Sequence, residues 1–225
     1  MKASITLFPG TNCEHDIDFV LQSLGFKTHI SWYKDTNLNA PDVVIVPGGF
    51  SYGDYLRTGA LAKVSPVMKE VAKFAEAGGL VIGICNGFQI LCEANLLPGV
   101  LLKNSSQKFI SKTVNLKTEN TTSKFSSKFK SGEVISAPVA HFEGNYFVEP
   151  GLLNKIEDND QVAFRYSSSK GEVSDKYNLN GSVNSIAGVF NSAKNVLGLM
   201  PHPERVIEVN SEINPGLKLF TSLLS

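Results

Sequence analysis

Leu80-Val81-Ile82-Gly83-Ile84-Cys85-Asn86-Gly87-Phe88-Gln89 is an apolar run that breaks at a cysteine bracketed by two glycines. The run predicts a buried strand, and the break predicts a sharp turn with Cys85 at its apex. The spacing is that of a nucleophile elbow, G-x-S-x-G, with cysteine in place of serine. A tight strand-to-helix turn leaves no room for Cβ atoms beside its apex, which accounts for Gly83 and Gly87. Phe88 to Ala94 can continue as a helix, which puts Cys85 at a helix N-terminus, where the dipole favours a negatively charged sulfur. A free cysteine is usually an inert buried hydrophobe, but an inert cysteine needs no glycine bracket. Cys92 lacks such a context and reads as inert, while the role of Cys13 stays open.

The flanking sequence supplies the sheet. Ile5 to Phe8 predicts a first strand ended by Pro9-Gly10, and Thr11 or Asn12 is placed to cap a helix carrying Ile17, Val20, Leu21 and Leu24. Gly25 stands where that helix needs a left-handed terminator. Phe26 to Trp32 predicts a second strand. Asp42 to Val46 predicts a third, continuous and β-branched as in a parallel strand covered on both faces. Ser65-Pro66 opens a helix that Gly78-Gly79 stops. Strand–helix alternation over residues 1–95 predicts an open, mostly parallel, doubly wound, flavodoxin-like α/β sheet. Beyond it, strands at 134–135, 146–148, 162–164, 186–190 and 196–200 read as antiparallel additions, with one or two strands returning to the main sheet. Residues 123–132 read as a mobile loop. Pro215 to Leu224 reads as a closing helix with Leu217, Phe220 and Leu224 on one face. The chain is expected to form a single domain, 1–225.

Composition narrows the function. The 225 residues carry 21 basic and 21 acidic side chains, so neither nucleic acid nor an anionic membrane is an expected partner. The seven lysines between Lys103 and Lys130 read as a solvated face. Three cysteines without a CxxC pattern argue against a disulfide framework and against a metal site. The N-terminal apolar stretch is too short for a signal-peptide core, and no run is long enough for a membrane span. A reducing cytoplasm is the expected setting. Asp54 stands where a phosphate loop would need lysine, so Gly48 to Gly53 is not one.

A cysteine nucleophile needs a base, and the base needs an orienting group. Met200-Pro201-His202-Pro203-Glu204 holds two residues in the extended conformation that precedes proline. In extended chain, His202 and Glu204 share a face roughly 7 Å apart. Glu204 can therefore bond one imidazole nitrogen and leave the other for Cys85. An oxyanion also needs donors. Gly48-Gly49 lies at the same carboxyl edge of the sheet as the elbow, so the N–H groups of Gly49 and Asn86 are the candidates.

The elbow and Pro201-His202-Pro203-Glu204 resemble the class I (triad) glutamine amidotransferases. Three further stretches, Gly10 to Asp16, Pro47 to Arg57 and Asn104-Ser105-Ser106, narrow the resemblance to the glutaminase subunits of phosphoribosylformylglycinamidine synthases. It runs over essentially the whole chain. It implies that Cys85 attacks the side-chain amide of glutamine, His202 shuttles protons, Glu204 orients it, and Gln89 and Phe50 border the substrate. It implies delivery of ammonia to a synthetase subunit that holds ATP and Mg and amidates formylglycinamide ribonucleotide, with a small bridging subunit; no cofactor is expected in this chain. Tyr52, Asp54, Tyr55 and Arg57 are the candidate partner surface. In one place the chain departs from the family, which usually follows the histidine at 141 with a glycine-rich stretch containing Arg. Here that stretch reads Phe142-Glu143-Gly144-Asn145, so no role is carried onto 142–145, while His141 is taken to border the site. Two other readings are a stand-alone cysteine hydrolase, of γ-glutamyl hydrolase or small peptidase type, and a non-catalytic flavodoxin-like module.

Overall fold

Residues 1–206 and 215–225 are described by the computed structural model of the chain. The first half contains β1 (Lys2–Leu7), α1 (Glu14–Ser23), β2 (Lys27–Trp32), β3 (Val43–Val46), α2 (Pro66–Glu76), β4 (Leu80–Ile84) and α3 (Asn86–Glu93). The second half adds β5 (Val100–Leu102), β6 (Ile110–Thr118), β7 (Val134–His141), β8 (Asn145–Phe147), α4 (Pro150–Asp158), β9 (Val162–Ser167), β10 (Ile186–Phe190), β11 (Val196–Leu199) and α5 (Pro215–Ser222).

A nine-stranded sheet runs β2-β1-β3-β4-β11-β10-β9-β6-β7. From β2 to β11 the neighbours are parallel. From β11 to β7 they are antiparallel. The parallel part has the flavodoxin strand order, with its switch point between β1 and β3. Ligands in such sheets bind outside the carboxyl ends of the strands at that point. Here those ends feed the loop holding Cys13, the Gly48-Gly49 turn, the Cys85 elbow and the His202 segment.

Local sequence explains the frame. Val43 to Val46 is buried on both faces, as a central parallel strand must be. In α2, Pro66 takes the first helical position, and Val67, Met68, Val71 and Ala75 form the buried stripe. Gly25 adopts φ +82 after α1. The α1 cap differs from expectation: Cys13 occupies the cap position, and Thr11 Oγ1 instead accepts from the Phe8 N–H at 3.0 Å.

The lysines read as a solvated face are at the surface, Lys117 partly exposed and the others exposed, and an unforeseen strand, β6, runs among them with Val114, Leu116 and Thr118 buried. Three other expectations are corrected. β8 leaves the main sheet and pairs with β5, a three-residue strand not foreseen. Residues 123–132 are not a free loop, because Phe125 and Phe129 are buried against Phe190 and Phe164 at ring distances of 6.1 and 5.6 Å. In α5 and the residues after it the buried apolar side chains are Leu219, Phe220 and Leu223, while Leu224 is exposed.

β7 is the last strand of the sheet, which accommodates Pro138 at an edge. The antiparallel part curls back, so that β7 reaches the ends of β4 and β11. The Pro138 carbonyl accepts from the His202 N–H at 2.8 Å, and the Ala140 carbonyl lies 3.8 Å from Cys85 Sγ. Among the described residues no helix is long and apolar enough to cross a membrane.

Candidate active site

β4 ends at Ile84, and Cys85 takes φ +52, ψ −107 before α3 begins at Asn86. That backbone is disfavoured for any side chain and persists only where the surroundings enforce it. The glycine bracket is a close approach on both sides. A Cβ on Gly87 would lie 1.8 Å from the Val46 carbonyl oxygen, and one on Gly83 would meet Gly87 at 2.7 Å. α3 thus sits directly against the ends of β3 and β4, with the thiol at its N-terminus.

His202 and Glu204 follow β11, the parallel neighbour of β4. His202 Nδ1 lies 2.6 Å from Glu204 Oε1, and both side chains are buried. A carboxylate only accepts, so Nδ1 carries the proton and Nε2 is the open nitrogen. Nε2 is buried without a hydrogen-bond partner. Burial works against a charged imidazole, but the Glu204 carboxylate and the Cys85 sulfur outweigh it and favour the charged ring, so a proton taken up on Nε2 is held there. A Cβ on Gly48 would fall 2.8 Å from His202 Cε1 and 3.0 Å from Cys13 Sγ. The absence of a side chain at 48 therefore lets the imidazole and both thiols converge on bare backbone.

Asn86 ties the two candidate donor loops together. Its Oδ1 accepts from the Ser51 N–H at 3.0 Å, and its Nδ2 donates to Gln89 Oε1 at 3.0 Å. Gln89 in turn donates to the Glu143 carbonyl at 2.5 Å. The turn after β7 is thereby fixed over the elbow. Cys85, Gln89, Gly49 and Phe50 line one cavity of about 110 Å³ together with Asp54, Thr58 and His141–Glu143.

The four candidate partner residues divide. Tyr55 and Arg57 are exposed, although Arg57 pairs with Glu93 of α3 through two contacts of 2.6 Å. Tyr52 is half-buried against Tyr33. Asp54 turns into the cavity. Cys92 is buried with its thiol pushed well above the ordinary value by desolvation, as an inert cysteine should be. Sequence reasoning assigned nothing to Cys13 or Glu143, which reach the site through tertiary folding alone.

Cys13, His202 and Glu204 bring a sulfur, a nitrogen and an oxygen within 4.8 Å of one another. The set is compact enough for a cation. However, the Arg205 guanidinium donates to Cys13 Sγ at 3.0 Å and already places a positive charge there.

A thiol on a strand-to-helix elbow, with an imidazole–carboxylate pair on the next strand end, can perform acyl transfer from an amide or ester. On a sheet of flavodoxin order, this defines the class of cysteine-nucleophile hydrolases and transferases. Residues 1–221 match the family model for the CobB/CobQ-like glutamine amidotransferase domain, and the chain belongs to that family. It is 50% identical to phosphoribosylformylglycinamidine synthase subunit PurQ of Salinibacter ruber, over 100% of this chain and 96% of that one. The subunit of the same name from Koribacter versatilis is 47% identical over 100% of this chain and 97% of its own length. A chain in the solved structure of PurLQS from Thermotoga maritima superposes with a TM-score of 0.86 at 42% identity, covering 99% of this chain and 97% of that one.

Proposed function

We propose that this chain is the glutaminase subunit of a phosphoribosylformylglycinamidine synthase and supplies ammonia to a synthetase subunit. Cys85 Sγ attacks the side-chain amide carbon of glutamine. His202 Nε2 takes the thiol proton and passes it to the amide nitrogen, which leaves as ammonia. Water, deprotonated by the same nitrogen, then attacks the thioester; glutamate leaves and the thiol is restored. Glu204 keeps the proton on Nδ1 throughout. The N–H groups of Gly49 and Asn86 are placed to hold the oxyanion, and Gln89 and Phe50 border the substrate. What carries this reading is an open imidazole nitrogen, backed by a buried carboxylate, beside an elbow thiol.

The ammonia serves the conversion of formylglycinamide ribonucleotide to formylglycinamidine ribonucleotide in de novo purine synthesis. ATP and magnesium belong to the synthetase partner, and a small bridging subunit completes the complex. Tyr55 and Arg57 remain available to a partner. Three free cysteines support a cytoplasmic setting.

Ammonia release from glutamine, measured with and without the purified synthetase and bridging subunits, tests this. The proposal expects weak release alone and strong stimulation by the complex and its substrates. Full activity of the isolated chain, unmoved by partners, would instead mark a stand-alone hydrolase.

A further inference from the structure

The cavity beside Cys85 carries two carboxylates that the acyl-transfer chemistry does not use. Asp54 follows Tyr52 and Gly53, and all three have left-handed backbone, with φ of 54, 65 and 54°. Such a run is sparsely populated and marks a loop held to a purpose. Here it turns Asp54 inward. Its Oδ1 is buried without a hydrogen-bond partner. Glu143 lines the same cavity from the turn after β7, and its Oε2 accepts from Thr58 Oγ1 at 2.6 Å.

A third acceptor faces the same space. His141 is buried, and its Nδ1 lies 3.1 Å from Asn104 Oδ1, an oxygen that can only accept. Nδ1 therefore holds the proton, and Nε2 presents a lone pair with no partner. Burial, with His202 nearby, lowers His141 to about 4, so the ring is neutral at physiological pH. Burial and Glu143 together raise Asp54 to about 6. No lysine or arginine lines this cavity. Two acids and a neutral imidazole acceptor without a counter-charge ask for a compact cation with several N–H donors.

We infer that Asp54 and Glu143, with His141 Nε2 beside them, bind the α-ammonium group of glutamine and so set the enzyme's preference for an α-amino acid amide. This rests on the glutaminase reading and adds what that reading leaves open, the group that recognises the far end of the substrate. The γ-amide then lies at Cys85 while the ammonium neutralises the paired carboxylates.

The test uses the complete complex with its synthetase and bridging subunits. Glutamine KM is compared with the Ki of glutaric acid monoamide, which is glutamine without its α-amino group. Asp54→Asn should raise glutamine KM about tenfold to a hundredfold, the range of a charge-assisted hydrogen bond. It should change kcat far less and leave the monoamide Ki in place or lower it. Asp54→Glu should restore part of the loss. Glu143→Gln should act in the same direction, and it carries the test if Asp54→Asn also loses ammonia-dependent synthesis and so fails to assemble. The inference is overturned if KM and Ki move together, if neither moves, or if only the share of ammonia reaching the synthetase falls. Failure of the glutaminase reading would look different, since the unmodified complex would then not use glutamine at all.

Discussion

At the scale of single residues, the site divides by what each group does to a proton. In the proposed mechanism His202 is the base and Glu204 only orients it, so their losses should differ. Glu204→Ala should lower kcat on the order of 10²–10⁴-fold, and His202→Ala should lower it more. Equal or reversed losses in steady-state ammonia release would remove those roles. Asp54 gives a second expectation, with a definite sign. Its carboxyl is raised to about 6 by burial and by Glu143, while His141, at about 4, stays neutral through that range. As pH falls through about 6, Asp54 gains a proton and loses its charge, but the ammonium of glutamine keeps its own. Glutamine KM should therefore rise below about pH 6, and Asp54→Asn should flatten that limb. A KM that is flat from pH 7 to 5 in the unmodified enzyme would contradict this.

At the scale of elements, the elbow depends on contact between α3 and the end of β3. Gly87→Ala places a methyl group 1.8 Å from the Val46 oxygen unless α3 shifts. Overpacking of this kind costs about 1–3 kcal/mol, which lowers Tm by about 2–4 °C for each kcal/mol in a chain of this size. Glutaminase activity should fall along with Tm, because the same shift moves the Cys85 thiol. An unchanged melting curve would mean that the elbow has slack. The elbow was legible in the sequence because its signal is local: an apolar run, a bracketed cysteine and a helix all within fifteen residues. β6 was not, because Lys112 and Lys117 interrupt the apolar pattern: Lys112 shares the face of Val114 and Leu116 but is exposed near the start of the strand, and Lys117 lies on the opposite face. The 123–132 segment looked mobile because serine and lysine dominate it, whereas two phenylalanines seated in the core decide its position.

At the scale of the whole molecule, the parallel half builds the catalytic edge and the antiparallel half closes it. β7 returns over β4 and β11, its carbonyls bonding His202 and meeting Cys85, and the turn after it brings Glu143 opposite Asp54. Cys85, His202 and Glu204 could be found in sequence because each sits in a short motif with its own backbone logic. Cys13, Asp54 and Glu143 could not be placed at the site that way. They meet only because the sheet curls, and no local spacing encodes that closure. The division of labour with a synthetase subunit also belongs to this scale. The most direct measurement is synthesis of formylglycinamidine ribonucleotide by the assembled complex carrying Cys85→Ala, with glutamine and with ammonia as alternative nitrogen donors. The account predicts that glutamine-dependent synthesis is lost while ammonia-dependent synthesis persists; undiminished use of glutamine by that variant would contradict it.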